Sequence, residues 1–314
     1  MSYHCGFAAI IGRPNVGKST LLNRLIGEKL AIVSPKPQTT RNRILGIVSR
    51  PSYQLAFLDT PGVHRAKGGL NRYMVETALS AISEVDAVLF VIEAATRADG
   101  RVEVGEGNQL ILQRLEWAKK PVVLAINKID AIEKKLLLPI IDAYRQLFSF
   151  AEIFPISATR GEGVDALEQR LAELLPEGPA LFPPDMITDQ AERFLVGELI
   201  REQILRHCRE EVPYSTAVLV DHFDESEREP ERPALPGKLA GLVRIDATVF
   251  VERESQKAIV IGKGGQMLKT IGAAARAEIE RMLGTHVYLA LLVKVERRWS
   301  ERQEALRRMG YSRG

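Results

Sequence analysis

Six short apolar runs punctuate the first half of the chain: Phe7–Ile11, Arg43–Val48, Gln54–Leu58, Ala87–Ile92, Pro121–Ile126 and Ile153–Ile156. Each has the length of a strand, and near-continuous hydrophobicity suits a strand covered on both faces. Segments with helical spacing of apolar residues lie among them, including Lys18–Ile26 and Val164–Leu175. Strands alternating with helices predict an α/β fold built on a doubly wound sheet.

The pattern changes after Leu175. Pro176-Glu-Gly-Pro and then Phe182-Pro-Pro-Asp break helices and suit a linker. The expected division is a first domain over 1–178, a linker over 179–190 and a smaller α+β domain over 191–314. That domain opens with a helix, Ala191–Arg209, whose Phe194, Leu195, Leu199, Ile204 and Leu205 share one broad face. Strands follow at Tyr214–Phe223 and Leu242–Glu252, joined by a charged, Pro-rich, mobile loop over Asp224–Leu239. The turn Gly262-Lys263-Gly264-Gly265 then lies between two helical stretches, the second running through Leu283. A strand at His286–Val295 and a helix near Ser300–Met309 complete the order.

Composition narrows the class. A length of 314 residues suits two domains, and 46% hydrophobic residues is enough to pack both. No apolar run approaches the length of a membrane span, and no secretory signal opens the chain, so a cytoplasmic location is expected. Cys5 and Cys208 match no metal spacing and read as reduced thiols.

Chemistry enters with the loop between the first strand and the first helix. It reads Gly12-Arg13-Pro14-Asn15-Val16-Gly17-Lys18-Ser19, with Thr20 behind it. Gly12 and Gly17 let successive backbone N–H groups point inward at phosphate oxygens. The helix N-terminus adds partial positive charge. Lys18 is expected to reach the β- and γ-phosphates of a nucleotide, and Ser19 to ligate Mg²⁺. An ordinary glycine turn is the bland alternative, and the complete eight-residue pattern disfavours it.

Three more motifs follow in the order that a guanine-nucleotide switch requires. Asp59-Thr-Pro-Gly62 ends the third apolar run. An Asp there can hold a Mg²⁺-bound water. Gly62 offers an N–H to the γ-phosphate, a contact that hydrolysis would release. Thr39-Thr40 lies in the loop Ser34–Arg43, where one hydroxyl could complete the Mg²⁺ shell; Thr40 is favoured over Thr39. Asn127-Lys128-Ile-Asp130 follows the fifth run. The Asp130 carboxylate can accept two hydrogen bonds from guanine, and adenine lacks that donor pair. Asn127 and Lys128 are expected to brace base and phosphate loop. Ser157-Ala158 would place a backbone N–H near the guanine oxygen. Every motif falls at the carboxyl end of a strand, where open α/β sheets bind ligands.

The Gly262–Gly265 turn has the GXXG form that brings backbone N–H groups close to a nucleic-acid backbone, with Lys263 and Lys269 adding phosphate contacts. A tight helix–helix connection would explain the turn alone. The order of surrounding elements strengthens the RNA reading, and so does charge. Residues 185–237 carry 6 Lys+Arg against 13 Asp+Glu, whereas 238–314 carry 15 against 8. Only the half that holds the turn would attract RNA.

With these motifs in place the whole chain resembles the Era family of ribosome-associated GTPases. Gln38-Thr-Thr-Arg41, Ile187-Thr-Asp189, Glu211-Val-Pro-Tyr214 and Val251-Glu-Arg-Glu254 carry the resemblance further, as does a C-terminal KH domain of the second type. The resemblance implies binding of GTP and GDP, with GTP hydrolysis coupled to maturation of the small ribosomal subunit. It implies contact with small-subunit ribosomal RNA near its 3′ end. It also implies a monomer with some peripheral inner-membrane association, which the composition does not show. In related GTPases an Asn at the position of Asn15 helps to hold K⁺ beside the phosphates. Lys18, Asn15 and Gly62 are therefore the expected catalytic group.

One element is missing from the motif set. Val63 follows Gly62, where Ras-like enzymes carry a water-orienting glutamine, and His64 reads as a solvated loop residue. Intrinsic hydrolysis is expected to be slow. Rival classes are a nucleotide-dependent kinase, a vesicle GTPase and a GTP-regulated protein-interaction module without direct RNA binding. The guanine-reading motif disfavours the first. The ending Tyr311-Ser-Arg-Gly, with no lipidation cysteine, disfavours the second.

Overall fold

The computed structural model describes residues 2–63, 68–96, 102, 104–228 and 239–311. The chain divides near residue 190 into two compact units.

Among the described residues the first unit holds six strands: β1 (His4–Gly12), β2 (Ile44–Arg50), β3 (Tyr53–Asp59), β4 (Ala87–Glu93), β5 (Val122–Asn127) and β6 (Glu152–Pro155). They lie in the order β2-β3-β1-β4-β5-β6. All neighbours are parallel except β2 and β3, which form an antiparallel hairpin from Ile44↔Asp59 to Arg50↔Tyr53. Strict strand–helix alternation therefore fails once, because only two residues separate those strands. The helices are α1 (Lys18–Ile26), α2 (Gly69–Ala81), α3 (Glu106–Ala118), α4 (Leu137–Arg145) and α5 (Val164–Glu173). Ile10, Ile11, Phe57, Phe90, Leu21 and Leu22 are fully buried. Each such side chain contributes about 1.5–3 kcal/mol on burial. Gly12, Asp59, Glu93 and Asn127 end their strands along one edge of this sheet.

A buried glutamine on β3 fastens the segment that follows α5. Gln54 Oε1 accepts from the Leu181 and Phe182 N–H groups at 2.8 and 2.9 Å, and its Nε2 donates to the Phe182 carbonyl at 2.9 Å. Further along, the Ile47 N–H donates to the Ile187 carbonyl at 2.8 Å, and the Thr188 hydroxyl donates to the Leu45 carbonyl at 2.6 Å.

The second unit contains α6 (Glu192–His207), β7 (Ala217–Glu227), β8 (Leu242–Val251), α7 (Glu254–Ile261), α8 (Gln266–Leu283), β9 (His286–Val295) and α9 (Gln303–Arg308). The sheet order is β7-β8-β9, with β7 antiparallel and β9 parallel to β8. α6 is buried on more than the expected apolar face, because Glu198, Arg201, Glu202 and Gln203 are buried too. Arg201 pairs with Glu198 at 2.5 Å, which makes that burial tolerable.

One expectation is corrected here. β7 begins late, after a short 3-10 turn at Val212–Ser215, and continues to Glu227. The expected loop from Asp224 is strand at its start. Asp224 lies opposite Arg244 in the register, and Arg244 pairs across the strands with Glu227 at 3.2 Å, so these charges sit on paired strands. The rest of that loop, from residue 229 to 238, lies outside the described residues, as does His64.

Candidate nucleotide site and nucleic-acid interface

The loop from β1 to α1 wraps a cleft of about 430 Å³ lined by Pro14, Asn15, Gly17, Lys18, Ser19, Thr20, Thr39, Thr40, Gly62 and Lys128, among others. Two glycines are forced by space. A Cβ on Gly12 would lie 2.3 Å from the Val91 carbonyl oxygen, and one on Gly62 would lie 2.6 Å from the Pro14 nitrogen. Gly17 has φ 98° and ends the loop as the cap of α1.

Inside the loop Lys18 is buried, and its ammonium donates to the Gly12 and Arg13 carbonyls at 3.2 and 3.0 Å. Burial pushes that ammonium down to about 8, with the Asp59 charge opposing the shift. The same burial raises the Asp59 carboxyl, against Lys18 and the hydrogen bonds it accepts.

Ser19, Thr40 and Asp59 meet at one point. The Ser19 hydroxyl donates to Asp59 Oδ2 at 2.8 Å, the Thr40 hydroxyl lies 3.3 Å from the same oxygen, and the two hydroxyls are 2.8 Å apart. The Thr39 hydroxyl turns elsewhere, to the Lys36 carbonyl at 2.7 Å. Asp59 is fully buried, and its Oδ1 has no hydrogen-bond partner. This all-oxygen donor set with a spare carboxylate oxygen fits Mg²⁺, a hard cation.

Asn127 links the two halves of the site. Its Nδ2 donates to the Val16 carbonyl at 2.8 Å, and its Oδ1 accepts from the Ala158 N–H at 2.9 Å. Lys128 sits at the cleft wall and pairs with Glu93 at 3.0 Å. Asp130, Ser157 and Ala158 lie beyond the cleft lining, gathered on the far side of Asn127. The Ser157 hydroxyl, with help from Arg160 and Lys128, holds the Asp130 carboxyl below the usual carboxylate range.

Three features of the site have no signal in the motif. The Arg13 side chain leaves the loop and lies against Gly105 and Gly107, where an added Cβ would sit 3.1–3.2 Å from it. Arg24 of α1 donates to the Ala158 and Thr159 carbonyls at 3.3 and 2.6 Å. Val63 is fully buried in the apolar core, and its N–H donates to the Gly12 carbonyl at 3.1 Å.

In the second unit Gly262–Gly265 forms the turn between α7 and α8. Gly262, Gly264 and Gly265 all have positive φ. A Cβ on Gly262 would lie 2.6 Å from that of Met267, whereas Gly264 and Gly265 face open space. Lys263 and Lys269 are exposed and make no ion pair among the described residues. Ile259, 47% exposed on the preceding helix, adds an apolar surface beside the turn.

Fold and site together define a P-loop guanine-nucleotide protein that carries a KH domain. A family model described as a 50S ribosome-binding GTPase matches residues 7–128, and a KH-domain model matches residues 212–300. GTPase Era of Geobacter metallireducens is 53% identical over 99% of this chain and 98% of its own length. GTPase Era of Lacticaseibacillus paracasei is 48% identical over 99% of this chain and 97% of its own. The chain belongs to the Era family of GTPases. Two solved relatives share its whole fold. A crystal structure of Era in complex with MgGDPNP and nucleotides 1506–1542 of 16S ribosomal RNA matches at 42% identity and TM-score 0.90, covering 99% of this chain and 100% of that one. A variant of Aquifex aeolicus Era bound to GDP and AlF4⁻ matches at 41% identity and TM-score 0.88, with the same coverage.

Proposed function

We propose that the first unit binds and hydrolyses GTP and that the second holds small-subunit ribosomal RNA near its 3′ end, in assembly and maturation of that subunit. The observation that carries the nucleotide half is the convergence of Ser19, Thr40 and Asp59 beside Lys18. In this reading the N–H groups of Gly12–Thr20 cradle the phosphates, and Lys18 neutralises the β- and γ-oxygens. The Gly62 N–H holds the γ-phosphate. Ser19, Thr40 and Asp59 hold Mg²⁺, which supplies positive charge to the phosphate oxygens when bound. Asp130 reads guanine, Ser157 and Ala158 flank the base with the Ala158 N–H already given to Asn127, and Asn127 and Lys128 keep base loop and phosphate loop together.

Hydrolysis is slow in the isolated protein, because Val63 is packed in the core and carries no group that could orient water. Asn15 would help to hold K⁺, which would supply positive charge beside the phosphates. Gly262–Gly265, Lys263 and Lys269 receive the RNA backbone, supported by the open space at Gly264 and Gly265. The GTPase family model names the large subunit in its description, but the relative solved with 16S RNA covers 99% of this chain, which favours the small subunit. We place the working boundaries at 1–178, 179–190 and 191–314. The protein acts as a cytoplasmic monomer with peripheral inner-membrane contact, a reading drawn from the family. No described helix is long and apolar enough to cross a membrane.

Phosphate release measured with GTP and with ATP, in Mg²⁺, tests the nucleotide half. Release from GTP alone is expected. Equal release from ATP contradicts the guanine reading.

A further inference from the structure

A second cleft opens at the opposite edge of the first unit's sheet, where β5 and β6 begin. It measures about 930 Å³ and lies between the C-terminal ends of α3 and α4. Its floor is apolar, formed by Leu115, Ile141, Phe148, Phe150 and Ile153. The two phenylalanine rings are tilted, with centroids 4.9 Å apart. Leu147, at the mouth, is 45% exposed.

The rim is basic. Lys119, Lys120 and Arg145 line it, and their side chains make no ion pair among the described residues. Of the two rim acids, Glu152 is taken by Arg170 at 2.9 Å, which leaves Glu116 against three cations. Helix C-termini attract cations, and both helices end here, so part of this basicity belongs to the helices themselves. Their dipoles do not account for the apolar floor and the exposed leucine, which lose water only when something covers them.

We propose that this cleft docks an acidic segment of a partner protein that carries an aromatic or large aliphatic anchor. The anchor fills the space over Phe148, Ile141 and Ile153. Flanking carboxylates pair with Lys119, Lys120 and Arg145, and their attraction steers the encounter. A buried anchor within a charged rim is the usual arrangement of an energetic centre in an interface. Nucleic acid would satisfy the cations but leave the aliphatic floor of Leu115, Ile141 and Ile153 wet. The nucleotide site lies at the other edge of the sheet, so both can be occupied at once. The inference does not rest on the RNA reading.

Short random peptides displayed on phage and selected on the full-length, GDP-loaded protein provide the test. Enriched sequences are expected to place Asp or Glu around Phe, Trp or Leu. Synthetic copies are expected to bind more weakly as salt rises and to lose about tenfold or more in affinity for Lys120→Glu with Arg145→Glu. The same loss is expected, separately, for Leu147→Asp. GDP affinity stays at the parent value in both. A variant that loses GDP binding is misfolded, and the other then decides. No enrichment over bare support overturns the proposal, as does enrichment of sequences without acids or equal binding to parent and variants. Binding of a short single-stranded RNA that these substitutions abolish overturns it in favour of nucleic acid.

Discussion

The Asn127 side chain donates a 2.8 Å hydrogen bond to the Val16 carbonyl, joining the Asn127–Asp130 motif to the loop between β1 and α1. Its other end accepts the Ala158 N–H, so one residue holds three segments in register. Both bonds are buried. Asn127→Ala leaves the Val16 carbonyl and the Ala158 N–H without partners, at a cost of about 1–3 kcal/mol each. A lower melting temperature and a GTP affinity reduced by about tenfold or more are expected. Thermal unfolding and a nucleotide titration check both. A variant that melts and binds as the parent does would show that the bridge carries no energy.

Asp130→Asn is expected to exchange guanine for xanthine. Xanthine carries a carbonyl where guanine carries an amine, and an asparagine amide can donate to it. Competition between GTP and xanthosine triphosphate reads the switch. Undiminished GTP binding by the variant would remove Asp130 from the base site.

Lys18 is expected to set the pH response of nucleotide binding. Burial brings its ammonium down to about 8, and a phosphate beside it favours the charged form. Below that point the free site is already charged, and binding takes up no proton. Above it a proton must be regained, so affinity falls as pH rises, by up to about tenfold per pH unit. GDP titrations from about pH 7 to 8.5, short of the ionisation of guanine itself, are expected to show flat affinity and then a decline. Affinity that climbs with pH contradicts the assignment.

Asn15 has φ 65°, and its Nδ2 donates to the Pro35 carbonyl at 2.8 Å. Potassium coordination would use the other amide atom, Oδ1. Hydrolysis is expected to run faster in potassium than in sodium, and Asn15→Ala is expected to abolish the difference. Phosphate release in the two salts measures it. Equal rates for the parent would leave Asn15 as a loop-stabilising residue alone.

The candidate nucleotide site was legible as a set of residues, because the chemistry it would perform demands particular residue types at particular chain positions. Gly12 and Gly62 are glycines for want of space, Asp59 must end a strand, and Asn127 must reach two loops from one position. Arg13 shows the limit. Its place in the motif is local, but its side chain rests on Gly105 and Gly107, and no periodicity encodes a contact of that span. Gln54 reads as part of an apolar run, although it fastens Leu181 and Phe182. The charges after Phe223 read as a loop, because cross-strand pairing of Asp224 and Glu227 with Arg244 depends on register. Local chemistry is written in the sequence; long-range partners appear only when the chain is folded.

Binding of an RNA oligonucleotide from the 3′ end of small-subunit ribosomal RNA tests the central claim, that one chain joins a guanine-nucleotide site to an RNA site. It is measured for the parent and for Lys263→Asp with Gly264→Asp, at moderate salt. The variant adds negative charge and side chains where Gly264 now faces open space. RNA affinity is expected to fall by about tenfold or more, and the parent's affinity to fall steeply with salt as counterions are released. GTP binding is expected to survive, since those residues belong to the other unit. Unchanged RNA affinity in the variant would contradict the account and leave residues 191–314 as a protein-interaction module.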